Sequence, residues 1–190
     1  MKTTVIAALA AATMAATSLA SASQRAAPSA DDSGFYLGAA LTRVTYKEIG
    51  FSDANPTALA LMGGWRVNRY FAVEGRLGGG IANDSINVPG VGSIDLKLKS
   101  YFSVLARGTL PVSDQFDLYA VAGQTRADLG ASVGGFSASG SDSSFSYAIG
   151  GEFLMGTSHS AVGLEFGRLL SGTGYDADAY SVTFRHYFGL

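Results

Sequence analysis

Three features of the chain predict an all-β fold: an eight-stranded antiparallel β-barrel, an up-and-down meander set across a membrane. Segments with a two-residue hydrophobic period recur from Gly34 to the C-terminus, the repeat of strands whose side chains alternate between faces. The connections between them are short and long in turn, as in membrane barrels with tight turns on one side and larger loops on the other. After the N-terminal stretch no apolar run of ~20 residues occurs. A closed barrel is then the one spanning structure that satisfies every backbone group in lipid.

The elements follow in order. Lys2, the apolar run from Val5 to Ala16 interrupted only by Thr13, and Ala20-Ser21-Ala22 make residues 1–22 a cleavable export signal. Residues 23–33 are small and polar, a flexible lead-in. Residues 34–190 form the barrel domain, with strands expected at 34–47, 57–67, 70–83, 94–110, 116–127, 143–155, 161–170 and 178–188. Short turns are expected at 68–69, 111–115 and 156–160. Longer loops rich in Gly, Ser, Asp and Asn are expected at 48–56, 84–93, 129–142 and 171–177.

Four strands show their faces clearly. Phe71, Val73, Leu77 and Ile81 oppose Glu74 and Arg76. Ile94, Leu96, Leu98, Phe102, Val104 and Leu110 oppose Asp95, Lys97, Lys99, Tyr101, Ser103 and Arg107. Phe145, Tyr147, Ile149, Gly151, Phe153 and Met155 oppose Ser146, Ala148, Gly150, Glu152 and Leu154. Tyr180, Val182, Phe184 and Phe188 oppose Ser181, Thr183, Arg185 and Tyr187. The faces of 116–127 stay unassigned.

The same alternation would serve a soluble barrel with its apolar face inward. The lipid-facing arrangement is favoured because aromatics gather near strand ends: Tyr36, Trp65, Tyr70, Phe71, Phe116, Tyr119 and Phe188 toward the short turns, and Tyr46, Tyr101, Phe102, Phe145, Tyr147 and Tyr180 toward the loops. The opposite faces mix charge with Gly and Ala, unlike a continuously solvated surface.

Composition narrows the function. Charged residues are 15% of the chain, below the ~25% of soluble domains. Cleavage would remove the positive charge of Lys2, so the formal −2 becomes −3; with no basic stripe, nucleic acid is not an expected partner. The absence of cysteine excludes disulfides and thiolate metal sites.

The segment Gly64-Trp65-Arg66-Val67-Asn68-Arg69-Tyr70-Phe71-Ala72-Val73-Glu74-Gly75 resembles the second hairpin of small bacterial outer-membrane β-barrel proteins, the OmpA/OmpX-like and opacity-protein-like porin family. Ala148-Ile149-Gly150-Gly151-Glu152-Phe153 and Gly163-Leu164-Glu165-Phe166 are similar to their sixth and seventh strands. The resemblance spans nearly all of residues 34–190. It implies the outer membrane, contact with its lipid and lipopolysaccharide, and folding by the barrel-assembly machinery, with Tyr180, Val182, Phe184 and Phe188 as the C-terminal assembly signal. Members usually end on Phe, whereas here Gly189-Leu190 follow Phe188, and His186 stands at an outward position.

With the apolar face toward lipid, Arg66, Glu74, Arg76, Arg107, Glu152, Glu165 and Arg185 point into the lumen, where eight strands leave room only for side chains. Ions buried there must be paired, so a structural plug is expected and an ion path is the alternative. No catalytic residues are expected. His159 in Ser158-His159-Ser160 lies on a short turn where neighbouring side chains diverge, and His186 lies on the lipid-facing parity. No cofactor or metal is expected: Asp31, Asp32, Asp176 and Asp178 lack the spacing of a calcium loop. Gly78-Gly79-Gly80 lacks the Lys and helix of a phosphate loop and reads as close packing in a strand. Phe51, Ile86, Val88, Val91, Phe136 and Tyr175 in the outer loops could dock a surface ligand. The expected protein is a non-enzymatic monomer with a structural or surface-interaction role; a small-solute porin or an outer-leaflet lipid enzyme are the competing classes.

Overall fold

The computed structural model describes residues 33–48, 55–82, 84–88, 92–133, 136–156, 159–172 and 175–188. The expected export signal lies outside them, as do nearly all of the lead-in and the final Gly189-Leu190. The strands are β1 (Gly34–Glu48), β2 (Thr57–Arg66), β3 (Phe71–Ala82), β4 (Asp84–Val88), β5 (Gly92–Pro111), β6 (Phe116–Val133), β7 (Phe136–Leu154), β8 (Ser160–Gly172) and β9 (Tyr175–Tyr187). Every pairing is antiparallel; all join sequence neighbours except that β3 pairs with β5 and β9 returns to β1. Because β3 and β4 run successively along β5, they form one stave, and the barrel has eight.

One row of cross-strand partners proves the closure. It passes from Phe71 through Gly108, Ala120, Ile149, Phe166, Tyr180, Arg43 and Thr57, and arrives back on the starting stave at Ala82. The offset from Phe71 to Ala82 is the stagger that tilts the strands of a closed sheet. At the short-turn end, Asn68 Oδ1 accepts hydrogen bonds from the backbone N–H of Tyr70 and Phe71 at 2.8 and 2.9 Å, so the turn after β2 closes on its own side chain.

The outer face is apolar and exposed: Leu37, Leu61, Phe71, Leu77, Leu110, Ile149 and Leu164 are each at least 60% accessible. The interior holds the polar side chains. Water cannot be the solvent of such an outer surface, which is far larger than the apolar patches tolerated on soluble proteins. The lumen is narrowed by cross-strand pairs in which a tyrosine lies over a glycine: Tyr36 over Gly64, Tyr101 over Gly78 and Tyr119 over Gly150. A Cβ at Gly78 would come within 2.5 Å of the Tyr101 ring. The triple glycine is thus partly a seat for an aromatic ring.

Several expectations change. Tyr36, Tyr101 and Tyr119, expected in the aromatic girdles, point inward and are 1%, 3% and 4% accessible. Trp65, Tyr70, Phe71, Phe116, Phe102, Phe145, Tyr147, Tyr180 and Phe188 are exposed on the outer face, while the Tyr46 side chain lies outside the described residues. Leu98, expected toward lipid, is buried in the lumen, and Lys99, expected in the lumen, is exposed. The cause is a bulge between Leu98 and Ser100, where one extra residue reverses the parity of β5. The side chains of Ile94, Asp95, Leu96 and Lys97 lie outside the described residues.

Three of the four long loops are also shorter than expected, while the connection between Glu48 and Thr57 keeps close to the expected length. Hairpin pairing continues to Val133↔Phe136 between β6 and β7, to Val88↔Gly92 between β4 and β5, and to Gly172↔Tyr175 between β8 and β9. Small polar residues in 129–142 still alternate, and Gly134-Gly135 is a favoured two-residue hairpin dipeptide. Ile86, Val88, Phe136 and Tyr175 therefore belong to strands, whereas Phe51 and Val91 lie outside the described residues. In β6 the faces resolve with Tyr119, Val121, Thr125 and Ala127 inward and Leu118, Gln124 and Arg126 outward.

Candidate functional site

The middle of the lumen gathers charges from five staves. Glu74 and Arg76 share the inward parity of β3, and Arg107, Glu152, Glu165 and Arg185 come from β5, β7, β8 and β9. Each is at most 7% accessible. Arg76 donates from Nε to Glu74 at 2.7 Å and through both terminal nitrogens to Glu165 at 2.6 and 2.8 Å, the forked geometry that suits guanidinium to carboxylate. Arg107 donates to Glu152 at 2.6 Å. Arg185 lies between the two clusters, donating to Glu74 at 3.3 Å and to Glu152 at 3.1 Å. The remaining nitrogens, Arg107 Nη1 and Arg185 Nη2, make no hydrogen bond but stand 3.9 Å from Glu74 and Glu165.

Three arginines thus face three glutamates, and the cluster is formally neutral. Tyr36 and Tyr187 donate their hydroxyls to Glu74 and Glu152, both at 2.6 Å. The Arg107 guanidinium lies 4.0 Å from the centre of the Tyr119 ring, a cation–π contact in a desolvated place. Gly38 leaves space for Arg185, whose Cγ would be 3.2 Å from a Cβ there. The sequence pointed to the charges and to the inward face of Tyr187, but not to Tyr36 or Tyr119. The parity of β1 carried that signal, since Phe35, Leu37 and Leu41 on the apolar face put Tyr36 on the other.

Arg66 stands apart from this cluster, toward the short turns, with its guanidinium 5.0 Å above the Tyr187 ring. It lines a vestibule of about 240 Å³ with Arg69, Asp114 and Asp117. Above the charges comes a belt of hydroxyls, Thr42 with Ser181 at 2.8 Å and Ser103 with Thr125 at 2.7 Å. Beyond that, Val44, Ala58, Leu98, Tyr101, Leu170 and Ala177 belong to an apolar cluster. The voids beside the charges measure about 30 and 10 Å³, room for about a water molecule each.

The other candidates fall elsewhere. His186 pairs across strands with Ser160, whose Oγ is 2.9 Å from Nδ1, and its ring meets Phe188 edge-on at 4.7 Å. His159 holds a left-handed backbone (φ 50°) and its carbonyl accepts from Tyr187 N–H. Asp176 and Asp178 both bind Arg168, at 2.6 and 3.0 Å. Among the described residues no group of three or more His, Cys, Asp and Glu is placed to hold a metal. Tyr180, Val182, Phe184 and Phe188 all face outward and are exposed.

A family model described as outer membrane protein beta-barrel domain matches residues 7–188. Among solved structures the chain is similar to Ail, the attachment invasion locus protein of Yersinia pestis, at 21% identity and a TM-score of 0.57, covering 82% of this chain and 97% of that one. Neisserial surface protein A is 14% identical with a TM-score of 0.58 over 82% and 97% of the two chains. OprG from Pseudomonas aeruginosa is 13% identical with a TM-score of 0.55 over 83% and 97%. At these identities the likeness is one of fold. No curated protein matches the chain.

Proposed function

This chain belongs to the outer membrane protein beta-barrel domain family, and from that premise we propose a non-enzymatic, non-conducting envelope protein that meets surface partners through its outer hairpins. The observation that carries the reading is the filled lumen. The neutral Arg–Glu cluster lies beneath a hydroxyl belt and an apolar layer, and the two voids described beside it measure about 30 and 10 Å³. An ion crossing it would have to break forked, desolvated pairs, which resist removal of either partner.

The surface role is supported by an uneven outer rim. β7 pairs with β8 only from Tyr147 onward, and β4 pairs only with β5 among the described residues. Among the described residues, the outer parts of β4, β5, β6 and β7 therefore form a wall whose β7 edge reaches β8 only through side chains, Ser146 Oγ donating to the Leu169 carbonyl at 2.6 Å and Ser144 Oγ accepting from Ser171 N–H at 3.2 Å, and which has no ladder partner beyond them. Exposed edges invite strand addition and are usually guarded by Lys, Pro or bulges. The edge 136–143 contains one charge, Asp142, and no proline or lysine.

The export signal of residues 1–22, the lead-in 23–33 and the barrel domain 34–190 complete the proposal, with Tyr180, Val182, Phe184 and Phe188 read by the assembly machinery and a monomer resting in lipid and lipopolysaccharide. Ail has also been solved with the heparin analogue sucrose octasulfate. A sulfated ligand suits this chain less well, because the mature formal charge is −3 once Lys2 is removed from the chain's −2 and Arg168 is held by Asp176 and Asp178.

Planar-bilayer recording tests the central claim. The refolded barrel is expected to give no steady conductance. A reproducible channel reshaped by Glu152→Ala would make the charges a pore lining. For the rim, adherence of cells displaying Ser141→Pro, with unaltered surface level, should fall if the β7 edge engages the partner.

A further inference from the structure

The outer wall carries a hollow that the filled lumen does not explain. It is a groove of about 990 Å³, and its lining includes Phe71, Gly108, Leu110, Leu118, Ala120 and Ile149. The cross-strand row Phe71, Gly108, Ala120, Ile149 runs through it, with large side chains at both ends and the two smallest in the middle. Gly108 lies open to the outside: a Cβ there would meet nothing within 4 Å. Gly108 and Ala120 are close to the strand ends at Pro111 and Phe116. At ~3.4 Å per residue they lie within ~14 Å of the short turns, inside the ~15 Å that is half of a ~30 Å hydrocarbon core.

At the short-turn end the groove reaches Tyr70, and the Arg69 guanidinium lies 5.4 Å from the centre of that ring. Arg69 itself lines the mouth of the lumen, and its contact with the Tyr70 ring brings its charge to the edge of the groove, where a cation above an apolar channel matches a lipid in both its parts: hydrocarbon below and phosphate at the rim. Short turns face the periplasm, so this rim belongs to the inner leaflet.

We propose that the groove seats one acyl chain of an inner-leaflet glycerophospholipid, with the lipid phosphate against Arg69. Asp114 and Asp117 share the rim vestibule with Arg69 and compete for its charge. The apolar hollow therefore supplies most of the retention and the phosphate contact the smaller part. This site is independent of whether the lumen conducts, and conductance recordings do not bear on it.

The test uses the full barrel folded into vesicles of phosphatidylethanolamine and phosphatidylglycerol, extracted into mild detergent and weighed by native mass spectrometry. The wild type is expected to carry a bound phospholipid. Gly108→Leu adds a side chain whose Cβ meets nothing within 4 Å and fills the hollow, so the lipid-bound fraction should fall roughly tenfold, the effect of losing contact with about two methylene groups. Arg69→Gln should reduce retention by less. Ala120→Leu, on an exposed outward position, serves as the second filling variant, and heat-modifiable gel mobility certifies folding of each. Equal retention by the wild type and a folded filling variant would overturn the proposal. So would retention of lipid A in place of phospholipid when both are supplied. A shift from dimer to monomer in the filling variants would assign the groove to a second copy instead.

Discussion

Arg185 and Arg168 are both clasped by carboxylates, but one is sealed inside the barrel and the other stands at its outer rim. Arg185 is 0% accessible, between Glu74 and Glu152 at 3.3 and 3.1 Å. Arg168 is 27% accessible, between Asp176 and Asp178 at 2.6 and 3.0 Å. The shorter contacts belong to the exposed group. Distance therefore does not rank the two sites; water does. At the rim, solvent takes over when a partner is lost. In the lumen nothing replaces it, because an ion removed from water costs several kcal/mol unless paired.

The largest expected effects come from breaking the inner cluster. Glu74 contacts Arg76 and Arg185 and accepts the Tyr36 hydroxyl. Glu74→Ala should destabilise the folded barrel by ~3–5 kcal/mol, the usual result of leaving a buried charge without its partner. Denaturant unfolding in lipid vesicles measures it. Glu152→Ala should fall in the same range, and removing Glu152 together with Arg107 should restore much of the loss, since a whole buried pair contributes little net stability. A double variant no better than Glu152→Ala would mean that Arg107 is held by Tyr119 and Glu74 more than by Glu152.

Next comes the contrast between inner and outer faces. Ile149 is 66% accessible on the lipid-facing side of β7. Ile149→Lys should cost ~2–4 kcal/mol, the penalty for a cation near the middle of the bilayer. If Ile149→Lys left stability unchanged, the outer wall would not be in lipid and the assignment of faces would fail.

These two sites differ as well in how readily the sequence revealed them. The charges on β3, β7 and β9 alternate with large apolar side chains, so Glu74, Arg76, Glu152 and Arg185 declared their side of the wall without knowledge of any partner. Partners are another matter. Arg76 meets Glu165 through two staves distant in sequence, a consequence of closure and stagger that no local pattern encodes. The Leu98–Ser100 bulge was illegible for the same reason: one extra residue against Leu129 and Asp128 is a property of two strands together. Tyr36, Tyr101 and Tyr119 were misplaced because an aromatic near a strand end fits a girdle equally well; strand parity argued against it for Tyr36 and Tyr101, and the glycine partners Gly64, Gly78 and Gly150 show where the rings are seated. The seat for Tyr101 can be tested at Gly78→Val, which forces the ring aside and should cost ~1–3 kcal/mol as overpacking.

The smallest effect belongs to the rim. Asp178→Asn removes a carboxylate whose Oδ1 accepts from Arg168 Nε and Nη2 at 3.1 and 3.0 Å, while Asp176 still holds Nη1 at 2.6 Å. The freed nitrogens meet water, and the pair was screened by salt beforehand, so the loss should be no more than ~1 kcal/mol. It should shrink further as ionic strength rises past ~0.15 M, where charges more than ~8 Å apart scarcely interact. Glu74→Ala should keep its full cost across the same salt range, because its partners have no solvent path. Measuring both variants at low and high salt places the two sites on one scale. An Asp178→Asn loss of several kcal/mol that ignored salt would mean that the rim is as dry as the lumen, and that the hairpins above it fold over Arg168.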